Sequence, residues 1–195
     1  HRRGFSVLSV DMRGHGSSGG KYITMGYKDA EDALLWINEL QNILGRSVKI
    51  ILHGISMGSS AVIRSLSLPN FPEKSVYLVI SDSCFSDYSQ QMDIHLSSLF
   101  PNKGFQKGIK FLLLKFLSLS NFILQGFFFS SHSPLKALQK RNKLPSSSVP
   151  VLFFHGENDS MVPLSSAKTL YNAAAEPKKL VVVYKALHIG SFFYD

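Results

Sequence analysis

Short apolar segments alternate with amphipathic helical segments along most of this 195-residue chain, and this alternation restricts the fold more than any other feature. Short segments that are apolar at almost every position are typical of strands buried on both faces of a parallel sheet. Parallel neighbours are joined by helical crossovers, so the pattern predicts an α/β fold, a mostly parallel sheet with helices on both faces. The predicted strands are 5–10, 48–52, 76–80, 151–154 and 180–184, and the predicted helices are 29–44, 59–66 and 165–174.

One long segment, between residues 86 and 145, interrupts this alternation because it contains no clear strand. Its middle is strongly apolar, and a transmembrane helix is therefore an alternative. Lys110, Lys115 and Asn121 interrupt the apolar run, however, and a membrane span at this point would divide the sheet. We interpret residues 87–145 as a helical cap inserted into a single domain of residues 1–195.

Composition and charge exclude several classes of function. The formal net charge of +8 permits contact with nucleic acid or anionic surfaces, but the basic residues form no run of five or more, and we interpret them as a general surface property. No nucleic-acid-binding motif accompanies the charge, so no nucleic acid partner is predicted. The single cysteine, Cys84, excludes an intrachain disulfide and is expected to be buried. The seven histidines lack metal-ligand spacing, and no metal site is predicted.

The segment Gly54-Ile-Ser56-Met-Gly58 follows the predicted strand 48–52 and precedes the predicted helix 59–66. A serine on such a tight corner has strained backbone angles and an exposed hydroxyl, which makes Ser56 a candidate nucleophile. Side chains at Gly54 and Gly58 are expected to collide with the neighbouring chain. The N-terminus of the following helix directs backbone N–H groups toward developing negative charge, and the N–H of Met57 is one predicted oxyanion donor.

A serine nucleophile needs a base and a group that orients the base. Asp159 follows the predicted strand 151–154, and His188 follows 180–184. The carboxyl ends of parallel strands share one edge of the sheet, so we expect both side chains to meet Ser56 there. The order serine, aspartate, histidine separates this arrangement from the two other well-known triad architectures.

Other residues compete for these roles or have simpler explanations. Glu157 and Asp82 are the alternative acids, and both lie near strand ends. We expect His15 to brace its glycine-rich loop, and we expect His53 and His155 to be structural.

The chain resembles the α/β-hydrolases, and most closely the bacterial serine hydrolases of the serine-aminopeptidase-like (hydrolase/lipase-like) branch that carry a helical cap. The segments that support this resemblance are DMRGHGSSGG, YITMGYKDAEDALLWI, HGISMGSSA, FFHGENDSMVP and ALHIG. It covers essentially the whole chain and implies a catalytic triad of Ser56, Asp159 and His188. It also implies strands and a second oxyanion donor upstream of residue 1. One of those strands would lie between 5–10 and 48–52, so a gap of about 10 Å is expected there.

The expected activity is hydrolysis of carboxylic esters, with an acyl or aromatic group held over Ser56 by phenylalanines of the cap, namely Phe105, Phe111, Phe116, Phe122 and 127–129. No metal or organic cofactor is needed for this chemistry. The alternatives are a peptidase of the serine aminopeptidase type, an inactive fragment, and a non-catalytic protein that binds lipid or cell-wall polymer. Peripheral association with a membrane or cell surface is compatible with the charge. A signal or membrane anchor upstream of residue 1 would decide between a cytoplasmic and a membrane-anchored location, and the oligomeric state stays open.

Overall fold

The computed structural model describes residues 4–99, 106–144 and 149–190. Its elements follow the alternation predicted from the sequence, with boundaries that differ by a few residues. They are α1 (Asp29–Leu44), β1 (Ile50–Ile55), α2 (Met57–Ser65), β2 (Val76–Asp82), α3 (Tyr88–Leu99), α4 (Gln106–Gln125), a 3₁₀ helix (Phe129–Ser131), α5 (Pro134–Arg141), β3 (Val151–Gly156), α6 (Leu164–Ala173) and β4 (Lys178–Val183).

The four strands form one sheet in the order β1-β2-β3-β4, and every neighbouring pair is parallel. Each strand therefore ends at the same edge of the sheet. Backbone bonds continue across that edge: the Ser56 amide donates to the Asp82 carbonyl, and the Glu157 amide donates to the Val183 carbonyl. The three loops that follow β1, β3 and β4 are thereby held side by side, which is the arrangement predicted for the candidate residues.

The main hydrophobic core lies between the central strands and the helices that connect them. Val79 and Phe153 of the sheet pack in one cluster with Ile63 of α2, Leu138 of α5 and Leu170 of α6, and all five side chains are almost fully buried. Burial of each side chain of this size contributes about 1.5–3 kcal/mol to the free energy of unfolding. Cys84 lies in the same cluster, and its predicted burial is confirmed.

The prediction of a strand at residues 5–10 is wrong for this structure. The segment forms no ladder, and Phe5, Val7 and Leu8 are more than half exposed. A strand exists only where a neighbour is close enough to hydrogen-bond, whereas here a cavity of about 1590 Å³ separates the segment from β1. The gap expected beside β1 is therefore present, and β1 pairs only with β2 among the described residues.

The segment between β2 and β3 contains helices and no strand in its described part. α3 and α4 pack against each other, and Leu117 of α4 contacts a second apolar cluster formed by Phe85, Tyr88, Phe129 and Val162. α5 differs from them because its Leu138 lies in the main core. α4 also satisfies the length and hydropathy criteria for a helix that crosses a membrane, since the window Gly108–Gln125 has a mean hydropathy of 1.3.

Candidate active site

Ser56 occupies the junction between β1 and α2. Its backbone has φ 52° and ψ −111°, and a positive φ is uncommon for a residue with a side chain. The strained turn is held from both sides: the Ser56 amide donates to Asp82, and the Ser56 carbonyl accepts from Ser60 in the first turn of α2. The hydroxyl is therefore fixed at the sheet edge at the N-terminus of a helix.

Of the two glycines that flank the serine, only Gly54 lies where a side chain would collide with neighbouring atoms. A Cβ atom at Gly54 would lie 2.3 Å from the Gly58 carbonyl oxygen and 2.6 Å from the Ser59 nitrogen. A Cβ atom at Gly58 would meet nothing closer than the Met12 sulfur at 4.0 Å, which is ordinary contact. The collision expected at Gly58 is therefore wrong, because that position faces open space.

Three side chains from separate loops form a continuous hydrogen-bonded line at this edge. The His188 Nε2 atom is 3.0 Å from the Ser56 Oγ atom, and the His188 Nδ1 atom is 2.7 Å from the Asp159 Oδ2 atom. The Asp159 side chain is fully buried, whereas 13% of the His188 side chain is exposed. The geometry is that of a nucleophile, a base and a carboxylate that orients the base.

The electrostatic setting of Asp159 favours its ionised form. Burial by itself raises the pKa of this carboxyl. The hydrogen bonds from His188 and from the Val162 amide, together with the nearby His188 and His155 rings, outweigh burial and hold the pKa below its usual range. The Asp159 Oδ1 atom also accepts from the Met161 amide. Asp159 therefore remains a carboxylate through the neutral pH range.

Neither alternative acid occupies this place. Glu157 is exposed, and its Oε2 atom accepts from the Lys185 amide. Asp82 is fully buried at the end of β2, where its Oδ1 atom accepts from the Ser83 hydroxyl.

The oxyanion donor predicted at Met57 is the first residue of α2. The N–H groups in the first turn of a helix have no acceptor within the helix, so the Met57 amide is free of intrahelical bonding beside the serine hydroxyl. The helix dipole adds partial positive charge at the same end.

His155 is more closely involved than its expected structural role suggested. Its ring is fully buried, with the Nε2 atom 2.9 Å from the Val162 carbonyl and 3.4 Å from the Asp159 Oδ2 atom. Both neighbours accept hydrogen bonds, so Nε2 carries the proton. The signal in the sequence that could have indicated this contact is the spacing of four residues between His155 and Asp159. His15 meets its expectation, since its Nδ1 atom lies 3.0 Å from the Arg13 carbonyl.

His132 was not singled out in the sequence, yet it joins the segment after α4 to the serine turn. Its buried Nε2 atom is 2.7 Å from the Met25 carbonyl and 3.4 Å from the Ser60 hydroxyl. The rings of Tyr27, Phe85 and Tyr88 surround it with centroids 5.5–5.7 Å away. Burial lowers the pKa of His132 to about 4, against the upward effect of its Met25 bond.

This low pKa predicts a stability that depends on pH. The unfolded chain takes up the His132 proton near pH 6.5 and the folded chain only near pH 4, so stability is complete above pH 6.5 and falls toward pH 4. We expect His132 alone to lower the free energy of unfolding by about 2.5 kcal/mol between about pH 7.5 and about pH 4.5. Urea unfolding of the protein and of His132→Gln across this pH range measures the contribution of His132 to the free energy of unfolding. The partly exposed His95→Gln is the control, and an unchanged pH slope in His132→Gln would contradict it.

The phenylalanines expected over Ser56 lie elsewhere. The cavity that reaches Ser56 is lined by Trp36, Ile51, Ile55 and Leu124 among others, and none of the phenylalanines of α4 or of 127–129 borders it. Phe127 and Phe129 are buried on Tyr27 and Tyr88. The phenylalanines of α4 are exposed, because the opposite side of this helix packs against the protein through Leu117. Phe105 lies outside the described residues.

Within residues 4–99, 106–144 and 149–190, no group of three or more histidine, cysteine, aspartate or glutamate side chains is placed to hold a metal ion. The free thiol of Cys84 is fully buried, and burial raises its pKa to about 12, so it is not a competing nucleophile.

Comparison with known proteins agrees with this architecture. A family model described as serine hydrolase (FSH1) matches residues 103–189. The protein YqkD of Bacillus subtilis is 28% identical over 192 residues, which are 97% of this chain and 57% of YqkD. The chain thus spans little more than half the length of the curated relatives it matches.

Solved structures extend the similarity to the fold. The esterase Pf2001 of Pyrococcus furiosus superposes with a TM-score of 0.70 at 21% identity, over 98% of this chain and 65% of the esterase. A puromycin-hydrolyzing peptidase of Mycobacterium tuberculosis superposes with a TM-score of 0.57 at 18% identity, over 84% of this chain and 22% of the peptidase. The chain therefore has the α/β-hydrolase fold over nearly its whole length, and a serine hydrolase family model matches its C-terminal part.

Proposed function

We propose that this protein is a serine hydrolase that cleaves carboxylic esters through an acyl-enzyme, with Ser56 as nucleophile, His188 as base and Asp159 as the orienting carboxylate. The observation that carries the proposal is the unbroken line from the Ser56 hydroxyl through both nitrogens of His188 to the Asp159 carboxylate, with heavy-atom distances of 3.0 Å and 2.7 Å. Both distances lie within the range that proton transfer requires.

Each group has a defined step in the reaction. The Ser56 Oγ atom attacks the carbonyl carbon of the ester while its proton passes to the His188 Nε2 atom. The Asp159 carboxylate stabilises the imidazolium that forms, and the Met57 N–H donates to the oxyanion. His188 then returns the proton to the departing alcohol. Water that is deprotonated by His188 opens the acyl-enzyme and releases the carboxylic acid and the free serine.

An ester substrate is favoured over an aminoacyl substrate by the charges near the serine. A peptidase that releases N-terminal residues needs an acidic group for the substrate amine. Three aspartates line the cavity, and each has a bond within the protein: Asp29 Oδ2 to Thr24, Asp32 to Arg13, and Asp11 to the Ser17 amide. Among them, the buried Asp29 Oδ1 atom has no partner in the described part of the chain. Residues 97–144 contain no Asp or Glu at all.

The nucleophile can be tested with a fluorophosphonate probe, which reacts with activated serines. We expect the purified protein to be labelled at Ser56 and the Ser56→Ala variant not to be labelled. Ser18→Ala is the matched control, because Ser18 lines the same cavity. Labelling that persists in Ser56→Ala, or that disappears in Ser18→Ala alone, would refute the assignment.

The substrate class requires a separate comparison. p-Nitrophenyl esters of increasing acyl length are compared with aminoacyl p-nitroanilides at equal concentration, and we expect at least about tenfold higher kcat/KM for the best ester, equivalent to about 1.4 kcal/mol of transition-state stabilisation. A preference for the aminoacyl amides would favour the second candidate, a peptidase, which has a precedent in the fold of the puromycin-hydrolyzing peptidase. Labelling of Ser56 without turnover of either series would leave the nucleophile assignment intact and reject the ester class.

A further inference from the structure

The outward side of α4 is a largely exposed apolar surface, and within the described residues the Phe128 ring stacks on its Phe122. Six side chains form it, each 43–74% exposed: Phe111, Leu112, Phe116, Leu119, Phe122 and Ile123. They recur at the spacing of one helical face. Together they expose on the order of 700 Å² of apolar surface, more than the roughly 300–600 Å² of the largest patch on a typical monomer. We call these six residues the outer face of α4.

The opposite side of α4 is fixed to the protein by polar bonds as well as by packing. The Asn121 side-chain amide donates to the Phe127 carbonyl at 2.6 Å, and the Ser118 hydroxyl accepts from the Phe129 amide at 3.0 Å. Lys110 forms an ion pair with Asp93 of α3 at 2.8 Å. These contacts hold α4 flat against the fold, so the helix cannot cross a bilayer while they persist, although its length and hydropathy would allow it.

In the sequence, the excess of basic residues falls within the segment that contains α4, although Arg141 of that segment is buried and Lys110 is paired with Asp93. Residues 97–144 contain eight Lys and Arg and no Asp or Glu. The formal charge of this segment, +8, therefore equals the formal net charge of the whole chain. The remaining 13 basic residues are balanced by the 13 acidic residues of the chain. Lys115 lies within the outer face of α4, where its ammonium group is 5.4 Å from the Phe111 ring centroid.

We propose that the outer face of α4 docks on the surface of an anionic lipid bilayer, with α4 parallel to the membrane plane. A helix that has one apolar side and only positive charges inserts its apolar side at the headgroup boundary, where anionic lipids attract the lysines. A second copy of the chain fits less well, because a symmetric contact centred on this face would oppose Lys115 to its own copy. The inference does not depend on the catalytic residues.

Vesicle sedimentation tests the proposal with two lipid compositions, pure phosphatidylcholine and a mixture of about 70% phosphatidylcholine with 30% phosphatidylglycerol. We expect the protein to bind the anionic vesicles at least about tenfold more tightly than the neutral ones, and raising the salt from about 0.1 M to 0.5 M to reduce that binding. Phe116→Glu/Ile123→Glu is expected to lower the affinity by at least about tenfold. The matched control is Ile43→Glu/Leu44→Glu on α1, which adds the same charge at equally exposed apolar positions and is expected to retain binding.

Further variants separate charge from apolar contact and docking from catalysis. Lys115→Gln is expected to weaken binding to anionic vesicles more than Lys168→Gln, an exposed lysine of α6. Ser56→Ala is expected to bind as the parent protein does, so loss of the proposed activity leaves this test unaffected. Equal loss in the α1 and α4 double variants would overturn the proposal. So would a lack of vesicle binding combined with a dimer that dissociates in Phe116→Glu/Ile123→Glu.

Discussion

Asp159→Asn lowers the kcat of ester hydrolysis by about 10⁴-fold, which is the largest effect that we expect from a single conservative change. The asparagine side chain retains an oxygen for the Met161 and Val162 amides, so the loop keeps its bonds. It loses the negative charge that stabilises protonated His188, and its amide can hold the ring in the wrong tautomer. The measurement is kcat for the best p-nitrophenyl ester.

Glu157→Gln is the matched control for this change, because Glu157 is an exposed carboxylate two residues away that bonds only to the Lys185 amide. We expect its kcat to stay within about twofold of the parent value, in line with the small effects of surface substitutions. The assignment of the acid would be wrong if Glu157→Gln lost activity while Asp159→Asn kept it. Equal thermal midpoints in the two variants exclude unfolding as the cause.

Gly54→Ala lowers the free energy of unfolding by about 3 kcal/mol and removes fluorophosphonate labelling. The added methyl group would lie 2.3 Å from the backbone oxygen of Gly58, so the first turn of α2 must move, and with it the serine hydroxyl. Urea unfolding and probe labelling measure the two effects.

Gly58→Ala provides the comparison within the same motif. Its methyl group meets only ordinary contact, and alanine favours helix over glycine, so the free energy of unfolding is expected to stay equal or to rise by a few tenths of a kcal/mol. Equal destabilisation by both substitutions would contradict the distinction that the geometry draws between the two glycines. Activity is not a suitable readout for Gly58, because the position borders the serine.

The sheet and the line of three candidate residues followed from patterns that are local in the sequence. β1, β2, β3 and β4 were predicted because buried parallel strands are apolar at almost every position. The observed boundaries differ from the predicted ones by up to three residues. Polar residues at the strand ends, such as His53 and Asp82, pair within the sheet, although an apolar pattern does not include them. The parallel order then brought the loops together.

Other features depend on contacts that no local pattern encodes. Residues 5–10 have the composition of a strand, yet they lack a neighbour. The phenylalanines of α4 were assigned to a pocket because apolar residues are usually buried, and only the packing of the opposite side shows that they face outward. His132 became visible only when Met25, which is far away in the sequence, came within hydrogen-bonding distance of its ring. The role of His155 depends on the turn after β3, which brings its ring close to Asp159, four residues further along the chain.

The position of β1 at the edge of the described sheet has a practical consequence for work with this protein. The strand, Ile50–Ile55, carries neither proline nor lysine, the residues with which natural sheets discourage edge-to-edge association. Because β1 forms a ladder only with β2 within the part of the chain that the structure describes, its other edge can template the addition of a strand from a neighbouring molecule. Concentrated samples of this chain are therefore expected to polymerise slowly through continuous intermolecular sheets, and fresh, dilute preparations are the appropriate material for every assay described above.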